Sequence, residues 1–364
     1  MQFLKLNVEA GKSLVVSGPA LIKLINGECE VLGAPLNFNV LIKKYRQLPV
    51  TALQNSELEV NLGEGSSINE VEGDVIPNSW QALTQKILNK ERIMVVGGVD
   101  SGKNAFCTLI INKLLKAKDK VAIIDVDAGQ TEIGPPTTIG LGLIENPIAC
   151  FSDVSTKLLY FAGDTTPSRV KNKIILGLQK MLQHPFSLNY PTIINTDGWI
   201  LGEEAKSYKI DLINAASPSL IVGLGSEETL NLIFKEASKP FVILNPPRLI
   251  RRRSQEERRI LREDSYRSYL KNGKILVLPI NQVKVKFSSL SFEVNTLLGL
   301  LNKDEWLIGL GVLKEFKDKA MKVYTPVKKE EIKIVELSNV KINEEGKEID
   351  KLVKEKNEFK KGFC

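Results

Sequence analysis

The sequence predicts an α/β protein, with a central domain built on a mostly parallel sheet and a small β domain on either side of it. Three observations carry this. From Arg92 the apolar runs RIMVVG, VAIIDV, LLYFAG, TIINT, SLIVGL and FVILN alternate with mostly amphipathic stretches, the pattern of a parallel sheet covered by helices on both faces. Before Gly65 and after Lys274 the apolar runs are short and divided by turn residues, without helical spacing. Between the first central run and the stretch KNAFCTLIINKLLKA lies a glycine-rich loop, Gly97 to Asn104.

The elements follow in order. Residues 1–65 hold FLKLNV, SLVV, ALIKLI, ECEVL, NFNVL and ELEVNL, separated by Ala10-Gly11, Ser17-Gly18-Pro19, Asn26-Gly27 and Gly33-Ala34-Pro35. They read as a small sandwich or barrel, with Asn26-Gly27 as a two-residue hairpin turn. SINEVEGDVIP reads as a linker and closes a first domain at 1–76. Pro77 opens a helix toward Lys90, because proline is favoured at a helix start, and the central domain spans 77–281. ILVLPI, VKVKF, LIGLGVL, KVYTPV and IKIVEL return to strands, giving a third domain at 282–364 whose charged tail, GKEIDKLVKEKNEFKKGFC, is expected to fray.

Composition narrows the chemistry. The 364-residue chain is 43% hydrophobic and carries a net charge of +7, which suits two or three domains and a polyanionic partner. No apolar stretch reaches the length of a membrane span, and MQFLKLNVEAGK lacks a secretory pattern, so a cytoplasmic protein without a membrane partner is expected. Cys29, Cys107, Cys150 and Cys364 lie far apart and His184 is the one histidine. That argues against a zinc site, a disulfide framework and Ser-His or Cys-His nucleophiles, and leaves carboxylates as the candidate bases. His184 itself reads as a helix-end surface residue. Abundant Lys, Glu and Ile beside scarce His and Cys point toward a thermophilic source.

The loop Gly97-Gly98-Val99-Asp100-Ser101-Gly102-Lys103-Asn104, with Ala105 beginning the helix, is a phosphate-binding P-loop. Glycines let backbone N–H groups turn toward a polyphosphate, the helix N-terminus favours an anion, and Lys103 reaches the β- and γ-oxygens. Phe106, Ile110 and Leu114 mark the apolar face of that helix. ATP with Mg²⁺ is the expected cofactor. Asn104 occupies the position where a Ser or Thr hydroxyl usually meets the metal. Its amide oxygen is an acceptable hard ligand with a longer reach, which predicts a raised Mg²⁺ requirement and tolerance of Mn²⁺. The next strand ends in Asp125-Val126-Asp127-Ala128-Gly129-Gln130, two acids on one face that can hold the metal or accept a proton.

GGVDSGKN, DVDAGQTEIGPP, YFAGDTTPS, NTDGWILG and RSQEERRILR occur in the order and at spacings similar to those of the polynucleotide 5′-hydroxyl kinases. That family spans archaeal RNA kinases, the kinase subunit of the eukaryotic pre-mRNA 3′-end cleavage machinery and rRNA-processing kinases. GPALIKLINGECEVLGAPL also resembles its N-terminal β domain. The resemblance implies Asp127 as the base that takes the 5′-hydroxyl proton, with Lys103, Arg253 and Arg258 on the phosphates, the two arginines belonging to a lid. In the family the position of Asp125 is acidic but variable, and Gln130 would orient a phosphate or a metal-bound water. Residue chemistry thus leaves Asn104, Asp125 and Gln130 as the candidates near the metal. The resemblance also implies Thr165, Thr166 and Trp199 on nucleic acid, the tryptophan by stacking on a terminal base. Val170 stands where the family often has asparagine, with Asn172 two residues further along.

The function expected is therefore transfer of the ATP γ-phosphate to the 5′-hydroxyl of RNA, with DNA left open, in tRNA or rRNA processing or repair and alongside RNA-processing protein partners. An ATP-binding scaffold subunit with weak or no catalysis is the alternative, supported by Asn104. A deviant P-loop ATPase is a third reading, although its signature lysine would fall where this chain has Gly98.

Overall fold

The computed structural model describes residues 2–89, 91–286 and 292–349. The N-terminal segment folds into two antiparallel sheets. One orders Gln2–Val8, Ser56–Leu62, Ala20–Asn26 and Val40–Ile42; the other orders Ala34–Pro35, Cys29–Val31, Gln47–Ala52, Ser13–Ser17 and Ser67–Val71. Period-two patterning builds them: in Ser56–Leu62 every second residue, from Ser56 through Leu58 and Val60 to Leu62, is buried, which places one side of the strand inward. Two expectations are corrected. Asn26-Gly27 does not close a hairpin, since Ala20–Asn26 and Cys29–Val31 pair in different sheets. Gly27, at φ 90°, lets the chain turn the corner so close to Ser56 that a Cβ would lie 2.4 Å from its Oγ. The supposed linker contains the strand Ser67–Val71, paired with Ser13–Ser17. It lies at the sheet edge and half-exposed, so its polar composition hid it.

The central sheet has seven strands, in the order Thr156–Phe161, Thr138–Ile144, Val121–Asp125, Thr192–Asn195, Arg92–Gly97, Leu220–Leu224 and Phe241–Leu244. The last five run parallel, and the first two add antiparallel. Thr138–Ile144 is a strand that the apolar runs did not include. Its Gly140 and Gly142 weaken the strand pattern, yet all seven residues are buried. A Cβ on Gly142 would lie 2.2 Å from Val154 Cγ1, so close packing requires the glycine.

Alternation along Arg92–Gly97 sends Ile93 and Val95 to one core and Met94 and Val96 to another. Helices Pro167–Leu182, Glu203–Ala216 and Glu227–Ala237 cover the second face. The first face meets helix Lys103–Leu115, which the N-terminal sheets cover in turn. Phe106, Ile110 and Leu114 are buried as their spacing predicts, and so are Cys107, Leu109 and Ile111. Asn112, on the same helix, donates from Nδ2 to the carbonyls of Leu32 and Ile148, both at 2.9 Å, stitching the N-terminal sheets to the core. Pro77 caps a helix over Asn78–Lys86, whose Trp80 is fully buried edge-on to Phe106.

The C-terminal sheet orders Lys274–Pro279, Ala320–Thr325, Leu307–Lys317, Thr296–Leu301, Ile334–Lys341 and Lys284–Lys286, so the chain is a mostly parallel α/β core flanked by β sheets at both ends. Most of the charged tail lies outside the described residues. Its first residues are anchored: Arg262 grips Glu348 with Nε and Nη2 at 2.6 and 2.8 Å, and the Glu348 amide donates to Glu263 Oε1 at 3.0 Å. His184 caps a short helix at Pro185–Asn189, its Nδ1 accepting from the Phe186 amide. No helix among the described residues is long and apolar enough to cross a membrane.

Candidate functional site

The carboxyl ends of the parallel strands open onto one cavity of about 580 Å³, bounded by the N-terminal sheets, the loop after Arg92–Gly97 and the segment before helix Gln255–Leu270. Ligands favour this edge because the strand-to-helix loops leave their amides and side chains there. Val99 through Ala105 line the cavity, as do Asp127, Gln130, Thr165, Trp199, Arg253 and Arg258. Gly97, Gly98, Asp125 and Thr166 do not.

Gly102 adopts φ 90° and caps helix Lys103–Leu115 without a side-chain partner, which leaves the helix N-terminus open to an anion. Lys103 is buried and folds back, donating from Nζ to Gly97 O at 3.0 Å and Gly98 O at 2.7 Å. Burial pushes its pKa down to about 8, with the Asp127 charge opposing the shift. Asp127 is half-buried, and its Oδ1 accepts the amides of Gly129 and Gln130 at 3.1 and 3.0 Å. Desolvation, reinforced by Asp197, holds its carboxyl above the ordinary range.

Asp125 is placed differently from its expected metal role. It is fully buried; its Oδ1 accepts from Asn195 Nδ2 at 3.0 Å, and its Oδ2 from the Glu132 amide at 3.2 Å. Burial, with Asp127 nearby, raises its pKa to about 7. A sealed, already bonded carboxylate does not suit direct metal ligation. Asn104 Nδ2 donates to Glu132 Oε1 at 2.7 Å, and its Oδ1 accepts from Asn195 Nδ2 at 3.2 Å. Gln130 donates its side chain to Gly129 O at 2.9 Å.

Reasoning from residue types missed three contributors. Glu132 joins the P-loop helix to the N-terminal sheets, accepting Asn104 and, at 2.5 Å, Arg46 Nη1. Its signal was present inside DVDAGQTEIGPP, two residues beyond Gln130, the last of the expected ligands. On helix Glu203–Ala216, Lys209 pairs with Asp197 Oδ2 at 2.9 Å and donates to the Asp197 carbonyl at 3.1 Å, while the Tyr208 hydroxyl donates to Oδ2 at 2.9 Å. Neither belongs to a short motif, and only the tertiary fold brings them there.

Of the residues expected to contact nucleic acid, Trp199 is half-buried and stacks on Tyr208 with centroids 5.6 Å apart and planes at 26°. Its amide donates to Asp197 Oδ1 at 2.9 Å, which fixes the turn. Thr166 precedes helix Pro167–Leu182, and its amide donates to Asp164 Oδ1 at 2.9 Å. Val170 is a core residue with non-helical φ −132°, and Asn172 is exposed.

The lid segment starts helix Gln255–Leu270 with a capping box: Ser254 Oγ accepts from the Glu257 amide and Glu257 Oε2 from the Ser254 amide. Just before and after that box, Arg253 and Arg258 reach Asp100 of the P-loop. Three buried polar atoms around the loop lack a partner: Ser101 Oγ, Arg253 Nη1 and Arg258 Nε. Unmet donors converging on an open helix N-terminus fit a polyphosphate.

Fold and site thus define a P-loop nucleotide-binding protein. The family model for the P-loop of the mRNA cleavage and polyadenylation factor CLP1 matches residues 97–272. A polyribonucleotide 5′-hydroxyl-kinase of Pyrococcus furiosus is 28% identical over 344 residues, covering 77% of this chain and 96% of that protein. One from Methanocaldococcus jannaschii is 26% identical, covering 71% and 89% respectively, and a CLP1 homolog of Nematostella vectensis is 27% identical, covering 74% and 68%. The chain is thus similar, along most of its length, to the archaeal and eukaryotic proteins of the CLP1 and polyribonucleotide 5′-hydroxyl-kinase family. Among solved structures, wild-type Clp1p in complex with Pcf11p superposes with TM-score 0.71 at 14% identity, covering 93% of this chain and 98% of that one. A second Clp1p structure, with TM-score 0.73, concerns an extended Pcf11p interface and ATP loss in a glycine-to-arginine mutant.

Proposed function

We propose that the chain is an ATP-dependent polynucleotide kinase that phosphorylates the 5′-hydroxyl of RNA. The observation that carries this is that Ser101, Arg253 and Arg258, each with a buried donor that has no partner, line the same cavity beside the P-loop as Asp127. Phosphoryl transfer spreads charge over phosphate oxygens, and such donors stabilise it. Asp127 accepts the proton of the 5′-hydroxyl as its oxygen bonds to the γ-phosphorus; the bond to the ADP oxygen breaks, and ADP leaves. Lys103 exchanges its loop carbonyls for phosphate oxygens, and Trp199 holds the terminal base by stacking. Bound Mg²⁺ would neutralise phosphate charge, held by Asn104 or Glu132, with Gln130 orienting a bound water.

A scaffold reading has one observation in its favour: Lys103, Arg253 and Arg258 are all engaged by the P-loop itself. By likeness to the Clp1p complexes, a protein partner in RNA processing goes with either reading. The deciding experiment incubates the protein with γ-labelled ATP and 5′-hydroxyl RNA or DNA oligomers. End-labelling of RNA that is lost in Lys103→Ala and Asp127→Asn supports the kinase. ATP binding without transfer at any Mg²⁺ or Mn²⁺ concentration favours the scaffold.

A further inference from the structure

Asp100 is an acid inside a loop that binds polyanions, where its charge opposes the ligand. It sits at φ 53°, and its side chain is only 8% exposed. Three lid groups converge on it: the backbone amide of Arg253 at 3.0 Å, Arg253 Nη2 at 3.4 Å and Arg258 Nη2 at 2.5 Å. One carboxylate between two guanidiniums leaves the lid electropositive. Each arginine also keeps a buried donor unused, Nη1 of Arg253 and Nε of Arg258.

We propose that Asp100 is the positioning residue of the lid: it docks both arginines on the P-loop through Nη2 and so holds their remaining donors beside the nucleotide site. This rests on the kinase reading above. The geometry supports docking over simple competition with phosphate, because the bond from the Arg253 amide pins the chain one residue before the Ser254 cap. A phosphate that drew the guanidiniums away would leave that bond intact. The lid is therefore tied to the loop whose nucleotide it serves, and an arginine that must be ordered before transfer is already ordered. An uncharged residue at this position would leave the two guanidiniums mutually repelling in a buried site.

Two variants test the docking. Asp100→Gly removes the carboxylate and suits the positive φ; Asp100→Asn keeps the shape and an acceptor but removes the charge. Hydrogen exchange of the Arg253 amide in nucleotide-free protein reads the tie without any catalysis. It should accelerate about tenfold or more in Asp100→Gly, and less in Asp100→Asn. In the kinase assay, kcat should fall about 10- to 100-fold in Asp100→Gly with oligonucleotide KM unchanged, and the loss should shrink at least about threefold in an Arg258→Ala background, since both changes act through one interaction. Unchanged Arg253 exchange overturns the docking. Accelerated exchange with normal kcat, or full additivity with Arg258→Ala, overturns the positioning role. If no variant and no wild-type protein transfers phosphate, the kinase reading has failed, and the exchange result still decides whether Asp100 docks the lid.

Discussion

Asn104 Nδ2 donates to Glu132 Oε1 at 2.7 Å, so the residue that replaces the usual P-loop hydroxyl is held by an acid from the neighbouring motif. Its other amide atom is equally engaged, because Oδ1 accepts from Asn195 Nδ2. To meet Mg²⁺, which demands near-octahedral geometry, Asn104 must offer the second lone pair of Oδ1 from a side chain already fixed at both ends. Asn104→Ser is therefore expected to lower the metal concentration for half-maximal end-labelling and to leave oligonucleotide KM unchanged. A titration of Mg²⁺ and Mn²⁺ against both proteins checks it.

Rate should depend on pH at both ends. Lys103 has a pKa of about 8, below its ordinary value, so its proton is lost as pH rises through about 8. Asp127 is raised, so its basic form is gained only above the usual carboxylate range. The profile of kcat/KM should be bell-shaped, with its alkaline limb near 8. Bound phosphates favour the charged lysine, so the alkaline limb of kcat should lie higher. An alkaline limb at the same pH in both profiles would remove Lys103 from the phosphate contacts.

Asp125 gives stability its own pH dependence. Its pKa of about 7 in the fold exceeds the ordinary 3.8, so the native state keeps a proton that the unfolded chain has released. Stability should fall, on the order of a few kcal/mol, as pH rises from about 4 to about 7, and flatten above that. Urea unfolding of the nucleotide-free protein across that range measures the slope.

The Lys209–Asp197 pair is almost entirely buried, with side chains 0% and 3% exposed. Removing one partner strands the other charge in a medium that cannot solvate it. Lys209→Ala should destabilise the protein by about 3–5 kcal/mol. It should also displace Trp199, whose amide and stacking partner both bond Asp197. Denaturant midpoints together with oligonucleotide KM read both effects.

Trp199→Ala should raise oligonucleotide KM on the order of 5- to 150-fold, because a lost stack is worth about 1–3 kcal/mol. ATP affinity should hold. Weakened ATP binding with intact RNA binding would make Trp199 a packing residue of Tyr208 only.

The P-loop strand and helix and the short strand ELEVNL were legible in the sequence because each is local. A glycine's φ range and a period-two pattern are set by neighbours in the chain. Thr138–Ile144 was not legible, since its glycines answer to the close packing of Ile133 and Val154 and not to strand propensity. Nor was the edge strand Ser67–Val71, whose pairing with Ser13–Ser17 spans more than fifty positions. The site divides the same way. In the sequence by itself, motif order marked Lys103, Arg253 and Arg258 for the phosphates and Asp127 as the base. Tertiary structure decided their states. It sealed Asp125 beneath Asn195 and Glu132, turned Lys103 onto its own loop and brought the lid arginines to Asp100. The Asp125–Asn195 contact spans 70 positions and the lid contacts to Asp100 more than 150, and burial at these atoms comes from the assembled fold, which no local pattern encodes.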